Sequence, residues 1–471
     1  MNRTSLLTVL PAVFCFMTTG CKIGPDQGAP NVSALVGSDY RTTGTRKSAV
    51  NARRPWWHSY HDSGLDALER QVLTGNQELS QARARIIASR AAVRQNRAQE
   101  FPSAAIEMDL PGAASANLTK NGSTSRDLGA AVRSFPLLLD ISYEVDLWGR
   151  VKRNQQAAAA HSEAVTLDAD NARLFLTIEA ARIYYQYRAL EAEMAIADEA
   201  SRLSARGLQL SKIRQAEGLV TGLEVTRREA VLAEAVAEQS DLQRDKDLTL
   251  HALAELSGQV PSQFHLLPAG RNFTSAVPEI TAGLPAELLR RRADIAAAER
   301  ELFARNAEIG EAMAASLPTL TLSAQGGGLG SGIAQLGNPA SRFWMVGPAL
   351  SSPLLDGGRN RENVKITQAR YDEQIATYRQ AVVTAVREVE DALVTVRACR
   401  TGTLNRTKSL KFAEHFYRQA QISHQSGVSG QEQLMEAQNA LLLEKRAGIK
   451  SQHANYASSL QLIKALGGGW K

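Results

Sequence analysis

The sequence predicts a mixed α and β membrane protein, built mainly from long coiled-coil helices with four short β-strands. Three observations predict it: the chain is written twice, its long stretches lack helix breakers, and four short runs alternate apolar and polar residues. Its 471 residues have only 6% aromatics, and alanine, arginine, glutamine and leucine fill long stretches, a composition that favours extended helices. Mean hydropathy is below zero, and beyond the first twenty residues no apolar run reaches 18 residues. A spanning helix in the mature chain is not expected, so membrane insertion has to use strands.

The first element is a leader, 1–20. Arg3 supplies a positive start, Leu6 to Met17 is apolar but too short to span a bilayer, and Thr18, Thr19 and Gly20 are small. Cys21 directly follows them, as in a bacterial lipobox, and is expected to carry a diacylglycerol and an N-acyl chain; ordinary secretory cleavage nearby is the alternative. Cys15 cannot take this role because Phe14 precedes it. Lys22 stands where an aspartate would signal inner-membrane retention, which permits export to the outer membrane. The only other cysteine is Cys399, so no disulfide or metal-cysteine cluster is left.

An N-terminal segment, 21–62, leads into the first repeat, 63–256. Leu79 to Pro102 and Ile295 to Pro318 are equal-length, alanine-rich helical stretches that end in proline. Asp146-Leu-Trp-Gly-Arg150 recurs, one residue shorter, as Asp356-Gly-Gly-Arg359. Gly218-Leu-Val-Thr221 recurs as Gly427-Val-Ser429-Gly430, with Val225 matched by Leu434. Between the repeats, 257–283 is rich in glycine and proline and reads as a linker; the second repeat and tail fill 284–471.

Four runs alternate with period two: Ile106 to Leu110, Leu139 to Leu147, Leu320 to Gln325 and, less regularly, Phe343 to Leu350. Gly112 to Arg126 and Gly326 to Ala340 read as the loops joining each pair. Two seams alternate spacings of four and three: Tyr378, Val382, Ala385, Val389, Ala392, Val396, Cys399, and Ile183, Tyr187, Leu190, Met194, Ala197. Unbroken helix is predicted from about Arg150 to Gln215 and from Arg359 to His424, each roughly 100 Å long at 1.5 Å per residue.

Four strands with one lipid-facing side cannot close a barrel, and an open edge in hydrocarbon leaves backbone groups unpaired. Copies must therefore share a barrel, giving about eight strands from two or about twelve from three. Glu107, Asp109, Asp140, Glu144 and Asp146 fall on the polar side and would make the lumen acidic and cation-preferring. A small soluble sheet packed on helices would show the same alternation.

Catalytic and nucleic-acid readings find little support. The net charge of +6 is spread along the chain without a basic tail. His58 and His61 lack further ligands to complete a metal site, and Gly326 to Gly330 is not followed by the Gly-Lys-Ser/Thr of a phosphate loop. Arg290 to Arg292 has Glu287, Asp294 and Glu299 nearby and reads as a salt-bridge cluster.

At this point a resemblance becomes specific. Cys21 to Pro25, Trp56-Trp57, Tyr143 to Arg150, Gly283 to Ile295, Asp356 to Arg359 and Ala465 to Trp470 resemble the TolC-type outer-membrane factors, in particular the NodT-like lipoproteins that serve RND multidrug pumps. The likeness covers nearly the whole mature chain. It implies a homotrimer with a shared 12-stranded transmembrane β-barrel over a periplasmic α-barrel, and partners in a periplasmic adaptor, an inner-membrane RND pump and outer-membrane lipid. It implies no enzyme activity, no cofactor and no nucleic-acid partner. The family's periplasmic gate maps onto Gln433 and Glu436, with Glu432 a turn away; some relatives have aspartate where Gln433 stands, so this chain departs from a doubled acidic ring. An isolated glutamate near a helical turn is otherwise an ordinary solvated side chain. The turns at Gly218, Thr221, Gly427 and Ser429 would form adaptor-contacting tips, and also serve simply to reverse the chain. An exit duct for type I protein secretion and a periplasmic coiled-coil scaffold remain as alternatives.

Overall fold

A computed structural model describes residues 23–26, 28, 30–32, 36, 40–41, 55–108, 135–270, 272–280, 285–330 and 338–468. Cys21, Asp109 and the Gly112 to Arg126 loop lie outside the described residues. In chain order the elements are α1 (Ser63–Gly75), α2 (Gln77–Arg97), β1 (Ser103–Met108), β2 (Phe135–Val145), α3 (Arg150–Ala216), α4 (Gly222–Leu256), α5 (Pro285–Arg291), α6 (Ala293–Ala314), β3 (Thr319–Gly330), β4 (Arg342–Ser351), α7 (Arg359–Gln425) and α8 (Gln431–Ala465). Both repeats thus run helix, two strands, a 67-residue helix, glycine turn, 35-residue helix. Neither long helix contains a proline, which is why nothing interrupts its backbone ladder.

The chain divides into two compact units, each drawing on both repeats. The first comprises Met1–Pro30, Ile86–Val165 and Ala297–Tyr378. It holds one antiparallel sheet in the order β1-β2-β3-β4 and the helix segments that adjoin it. Leu302, Ile309 and Tyr371 form a small buried cluster there. Gly326 to Gly330, expected to be a loop, is instead the end of β3, paired from Gly326↔Leu139 to Gly330↔Phe135. The glycines permit close approach: a Cβ on Gly327 would lie 2.0 Å from the Leu137 carbonyl oxygen.

The second unit comprises Asn31–Arg85, Thr166–Ala296 and Arg379–Lys471. Its core is aromatic. Tyr185 stacks on Tyr456 with ring centroids 3.9 Å apart, and the Tyr60 hydroxyl meets that of Ser459 at 2.5 Å. Trp56 donates its indole N–H to Thr177 Oγ1 at 3.3 Å. Asp62 caps α1 by accepting from Gly64 N–H at 3.0 Å, and its carboxylate also accepts from the Tyr184 hydroxyl and Gly270 N–H. One buried carboxylate therefore ties the irregular linker to the start of α1.

The predicted seams are largely those that pack. Tyr378, Val382, Ala385, Val389 and Ala392 are buried, while Val396 and Cys399 are half-buried. Ile183 and Ala197 are buried, with Tyr187, Leu190 and Met194 half-buried between them.

A splice recurs in each repeat. Asn76, between α1 and α2, donates to the carbonyl of Leu256, the last residue of α4, at 2.9 Å. Arg292, between α5 and α6, donates to the carbonyl of Ala465, the last residue of α8, at 3.0 Å. Each joint thus gives an orphan helix-end carbonyl a side-chain donor. Beyond each helix end a positive-φ glycine, Gly258 or Gly467, lets the backbone approach Gly75 or Arg291.

Candidate functional site

The sheet has two faces, and the register decides which residues share them. Directly paired residues lie on one side of an antiparallel sheet. One face carries Ala104, Ile106, Met108, Leu137, Leu139, Ile141, Tyr143, Val145, Leu320, Leu322, Ala324, Trp344, Val346, Pro348 and Leu350. Ile106 is 75% exposed, Trp344 82%, Val346 69% and Leu350 71%, so among the described residues the apolar side chains of β1 and β4 are largely uncovered. The other face carries Ala105, Glu107, Asp140, Ser142, Glu144, Thr319, Thr321, Ser323 and Gln325, with Leu138, Phe343 and Met345 toward one end.

Three of the expected acidic residues, Glu107, Asp140 and Glu144, therefore share the polar face. Glu144 does not stand alone: Arg150 donates to both of its oxygens, Nε at 2.8 Å and Nη2 at 2.7 Å. That bond and the adjacent charge raise the Arg150 guanidinium above its usual range. Asp146 lies past the end of β2 and works as a cap, its carboxylate accepting from Val151 N–H at 3.1 Å and Lys152 N–H at 3.0 Å. Its counterpart Asp356 caps α7 through Gly358 and Asn360, both at 2.9 Å, and these backbone donors hold its carboxyl below the usual range. The recurring Asp motif is thus a strand-to-helix cap in both repeats.

The two glycine turns share one geometry. Gly218 and Gly427 sit at φ 72° and 73°. Gly218 N–H bonds Gln215 O at 2.9 Å and Leu219 N–H bonds Arg214 O at 2.8 Å; Gly427 bonds His424 O at 3.1 Å and Val428 bonds Ser423 O at 2.9 Å. This is the Schellman pattern, which satisfies the last carbonyls of a long helix and turns the chain. Thr221 then leads α4 from an extended backbone without a side-chain cap bond, and Gly430 does the same for α8. The Ser429 carbonyl meets His424 Nδ1 at 3.2 Å. Leu219 is 64% exposed, Leu223 80% and Val428 82%, so both turns present apolar side chains to the outside of the chain.

Glu432, Gln433 and Glu436 lie in the first turns of α8 and are all exposed. The spacings of three and four residues to Glu436 place them on one side of the helix. The same helix start is held by Met435, whose methyl would lie 2.8 Å from a Cβ on Gly207 of α3. His58 pairs with Asp66 at 3.0 Å, and among the described residues no cluster of His, Cys, Asp or Glu is arranged to hold a metal ion.

Sequence reasoning missed several residues that organise these sites. Arg153 and Gly310 grip the chain after Cys21, and Trp148 donates its indole N–H to Pro318 O at 2.7 Å. Glu69 is fully buried in α1, and neither of its carboxyl oxygens has a hydrogen-bond partner among the described residues.

Comparison with known proteins identifies the family. The profile described as outer membrane efflux protein matches residues 68–259 and 284–468. The outer membrane protein OprJ of Pseudomonas aeruginosa is 30% identical over 98% of this chain and 95% of its own. The pyoverdine export outer membrane protein OpmQ of Pseudomonas aeruginosa is 31% identical over 100% of this chain and 98% of its own. The solved structure of the outer-membrane channel OprN superposes with a TM-score of 0.79 at 29% identity, covering 96% of this chain and 100% of that one. The chain belongs to the outer membrane efflux protein family, whose members are passive outer-membrane channels that reach into the periplasm, use no cofactor and are not enzymes.

Proposed function

We propose that this chain is one protomer of a homotrimeric exit duct that passively passes drugs or other small toxic compounds from a periplasmic adaptor and inner-membrane RND pump to the exterior. The observation that carries the reading is the sheet: four strands whose outer edges, on β1 and β4, meet no further strand among the described residues, with an apolar face largely exposed along those two strands and a polar face opposite. In hydrocarbon such edges have to be paired, and only closure with further copies pairs them. Three copies give a twelve-stranded barrel. β4 runs ten residues, about 33 Å along the strand, which at the usual tilt spans an apolar band of about 25 Å.

In this reading 1–20 is a signal peptide and Cys21 carries the acyl anchor. The polar face lines the lumen, where Glu107, Asp109 and Asp140 favour cations. The turns at Gly218, Thr221, Gly427 and Ser429 meet the adaptor, offering Leu219, Leu223 and Val428 as apolar contacts. Glu436, with Gln433 and Glu432, forms the periplasmic constriction, where three copies of one carboxylate repel each other and attract cations. The adaptor favours an open packing of the helices there.

Single-channel recording of the purified, reconstituted protein tests this. Cation-selective conductance is expected, and Glu436→Lys should change it while leaving oligomer assembly intact. Normal conductance in that variant removes the gate assignment; absence of any conductance in the parent removes the duct.

A further inference from the structure

The chain just after Cys21 sits in a socket. Ile23 donates its N–H to the Trp148 carbonyl at 3.2 Å, three residues past the end of β2. The Arg153 side chain, in the first turn of α3 and only 2% exposed, donates Nε to Ile23 O at 3.0 Å, Nη2 to Gly24 O at 2.9 Å and Nη1 to Asp26 Oδ1 at 2.7 Å. Asn306 of α6 donates to Pro25 O at 2.9 Å. Gly310 closes the other side: a Cβ there would lie 2.6 Å from Arg153 Nε and 2.9 Å from Ile23 O. Gly24, at φ +101°, is pressed so close that a Cβ on it would fall 2.4 Å from Gly310 Cα.

A buried guanidinium is tolerated only when its donors are matched, and here the four residues 23–26 supply three acceptors. The strap and the arginine therefore hold each other. The socket is not a general consequence of a strand-to-helix junction. Aligning the repeats puts Glu362 where Arg153 stands, Arg94 where Gly310 stands and Arg90 where Asn306 stands. The second junction could grip no such strap.

We propose that this socket sets the depth of the acyl anchor, and Arg153 is its positioning residue. The proposal rests on the acylation of Cys21 and on the sheet spanning the membrane. Residue 21 precedes Ile23 by two residues, at most about 7 Å of chain. Ile23 is bonded to the junction itself, so by chain connectivity alone an acyl chain on residue 21 must start within that distance of the level where the strands end. There the hydrocarbon gives way to the headgroup layer of the periplasmic leaflet. The acyl chains enter the bilayer beside the protein's own sheet, and the anchor works as a fixed strut.

The test uses the full chain in outer-membrane vesicles. Mass spectrometry of the N-terminal peptide reports acylation, and amide hydrogen exchange reports residues 23–26. A spin label at Gly28→Cys, in a Cys399→Ser background, reports depth; residue 28 is exposed and a Cβ there meets nothing within 4 Å. In the parent the label should show one depth near the headgroups. Arg153→Ala should raise exchange at residues 23–26 at least tenfold and spread the label's depth, with Arg153→Lys restoring part of the protection. Gly24→Ala changes no helix residue, its Cβ would push the strap away from Gly310, and it should give the same result. Cys21→Ala should leave the strap protected, because the socket is made of protein. Acylated parent protein with an unprotected strap overturns the proposal alone, as does unchanged label depth in both strap-releasing variants. A mature N-terminus without acyl chains overturns the acylation reading, and the depth-setting role falls with it.

Discussion

The first and second repeats use the same joints with different side chains, and the differences mark where the molecule is specialised. Both cap their long helix with an aspartate, both reverse the chain through a Schellman glycine, and both splice a short helix end to the next with a side-chain donor. These shared parts are backbone solutions, needed wherever a helix starts or stops. The charges are not shared. β1 and β2 carry Glu107, Asp140 and Glu144, whereas β3 and β4 contain no acidic residue. The first junction grips a strap through Arg153, whereas the second leaves Leu354 89% and Leu355 99% exposed. The two repeats share a scaffold and differ in the side chains placed on it.

The splice gives the largest expected contrast. Asn76 contributes one neutral bond to Leu256 O and caps α2 through Leu79 N–H at 3.0 Å. Arg292 is buried and engages Asp294 at 2.6 Å, Glu388 at 2.7 Å and Ala465 O at 3.0 Å. Arg292→Ala leaves two partly solvated carboxylates and the Ala465 carbonyl without their donor and should cost about 2–3 kcal/mol. Asn76→Ala should cost about 1–2 kcal/mol. Denaturant unfolding of the purified protein measures both, and equal losses would show that the two splices are energetically alike.

Glu69 has no acidic counterpart, since the repeat alignment puts Pro285 in its place. Burial first, and the neighbouring Asp66 charge second, push its carboxyl well above the usual carboxylate range. The folded chain therefore keeps a proton that the unfolded chain releases. Stability contributed this way is present at low pH and is lost as pH rises from the ordinary carboxylate range toward the raised folded value. Glu69→Gln removes that loss. It should raise stability at pH 8 by about 1–3 kcal/mol and change little at pH 4. Melting curves at the two pH values decide, and a destabilised Gln variant at pH 8 would show that the charged form has partners in solution.

What the sequence revealed follows from the physics of each element. Period-two alternation and the lack of proline are local signals, and they located both long helices and three strands to within a few residues, and the first half of β3. Glycine is ambiguous by the same logic. Gly326 to Gly330 resembled a loop because glycine usually breaks strands, yet here it thins one strand so that Leu137 can come close. Asp146 resembled a strand residue because it continued the alternation of β2, and only the turn geometry made it a cap. Arg153 carried no signal of its role, since the strap residues it holds lie 127 to 130 residues away in sequence. The gate residues came from resemblance, because an exposed glutamate in a helix's first turns looks like any other.

The tips should differ least. Gly218 and Gly427 hold nearly the same left-handed φ, and a Cβ at either meets nothing within 4 Å. Alanine at each therefore costs only the backbone penalty, about 1–2 kcal/mol, spent locally. Amide exchange at Leu219 and Val428 should rise by similar factors in Gly218→Ala and Gly427→Ala. A much larger rise at one tip would show that its turn is held by something the other lacks.

The smallest expected effect tests whether the first repeat alone charges the polar face. Asp140 pairs across to Ala105 and Gln325, neither of which is a cation, so its carboxylate acts at full strength in the proposed lumen. Glu144 is matched by a bidentate Arg150, and the pair is nearly neutral beyond a few ångströms. At physiological salt the screening length is about 8 Å, so one carboxylate per copy shifts local cation concentration modestly. Asp140→Asn should lower the cation-to-anion permeability ratio by about twofold, equivalent to about 0.4 kcal/mol. Glu144→Gln should lower it too, because the variant leaves the Arg150 cation uncompensated, whereas removing both partners in Glu144→Gln/Arg150→Gln should leave it nearly unchanged. Reversal potentials across a salt gradient measure all three, and a fall in the double variant as large as that in Asp140→Asn would mean that the ion pair does not persist in the assembled pore.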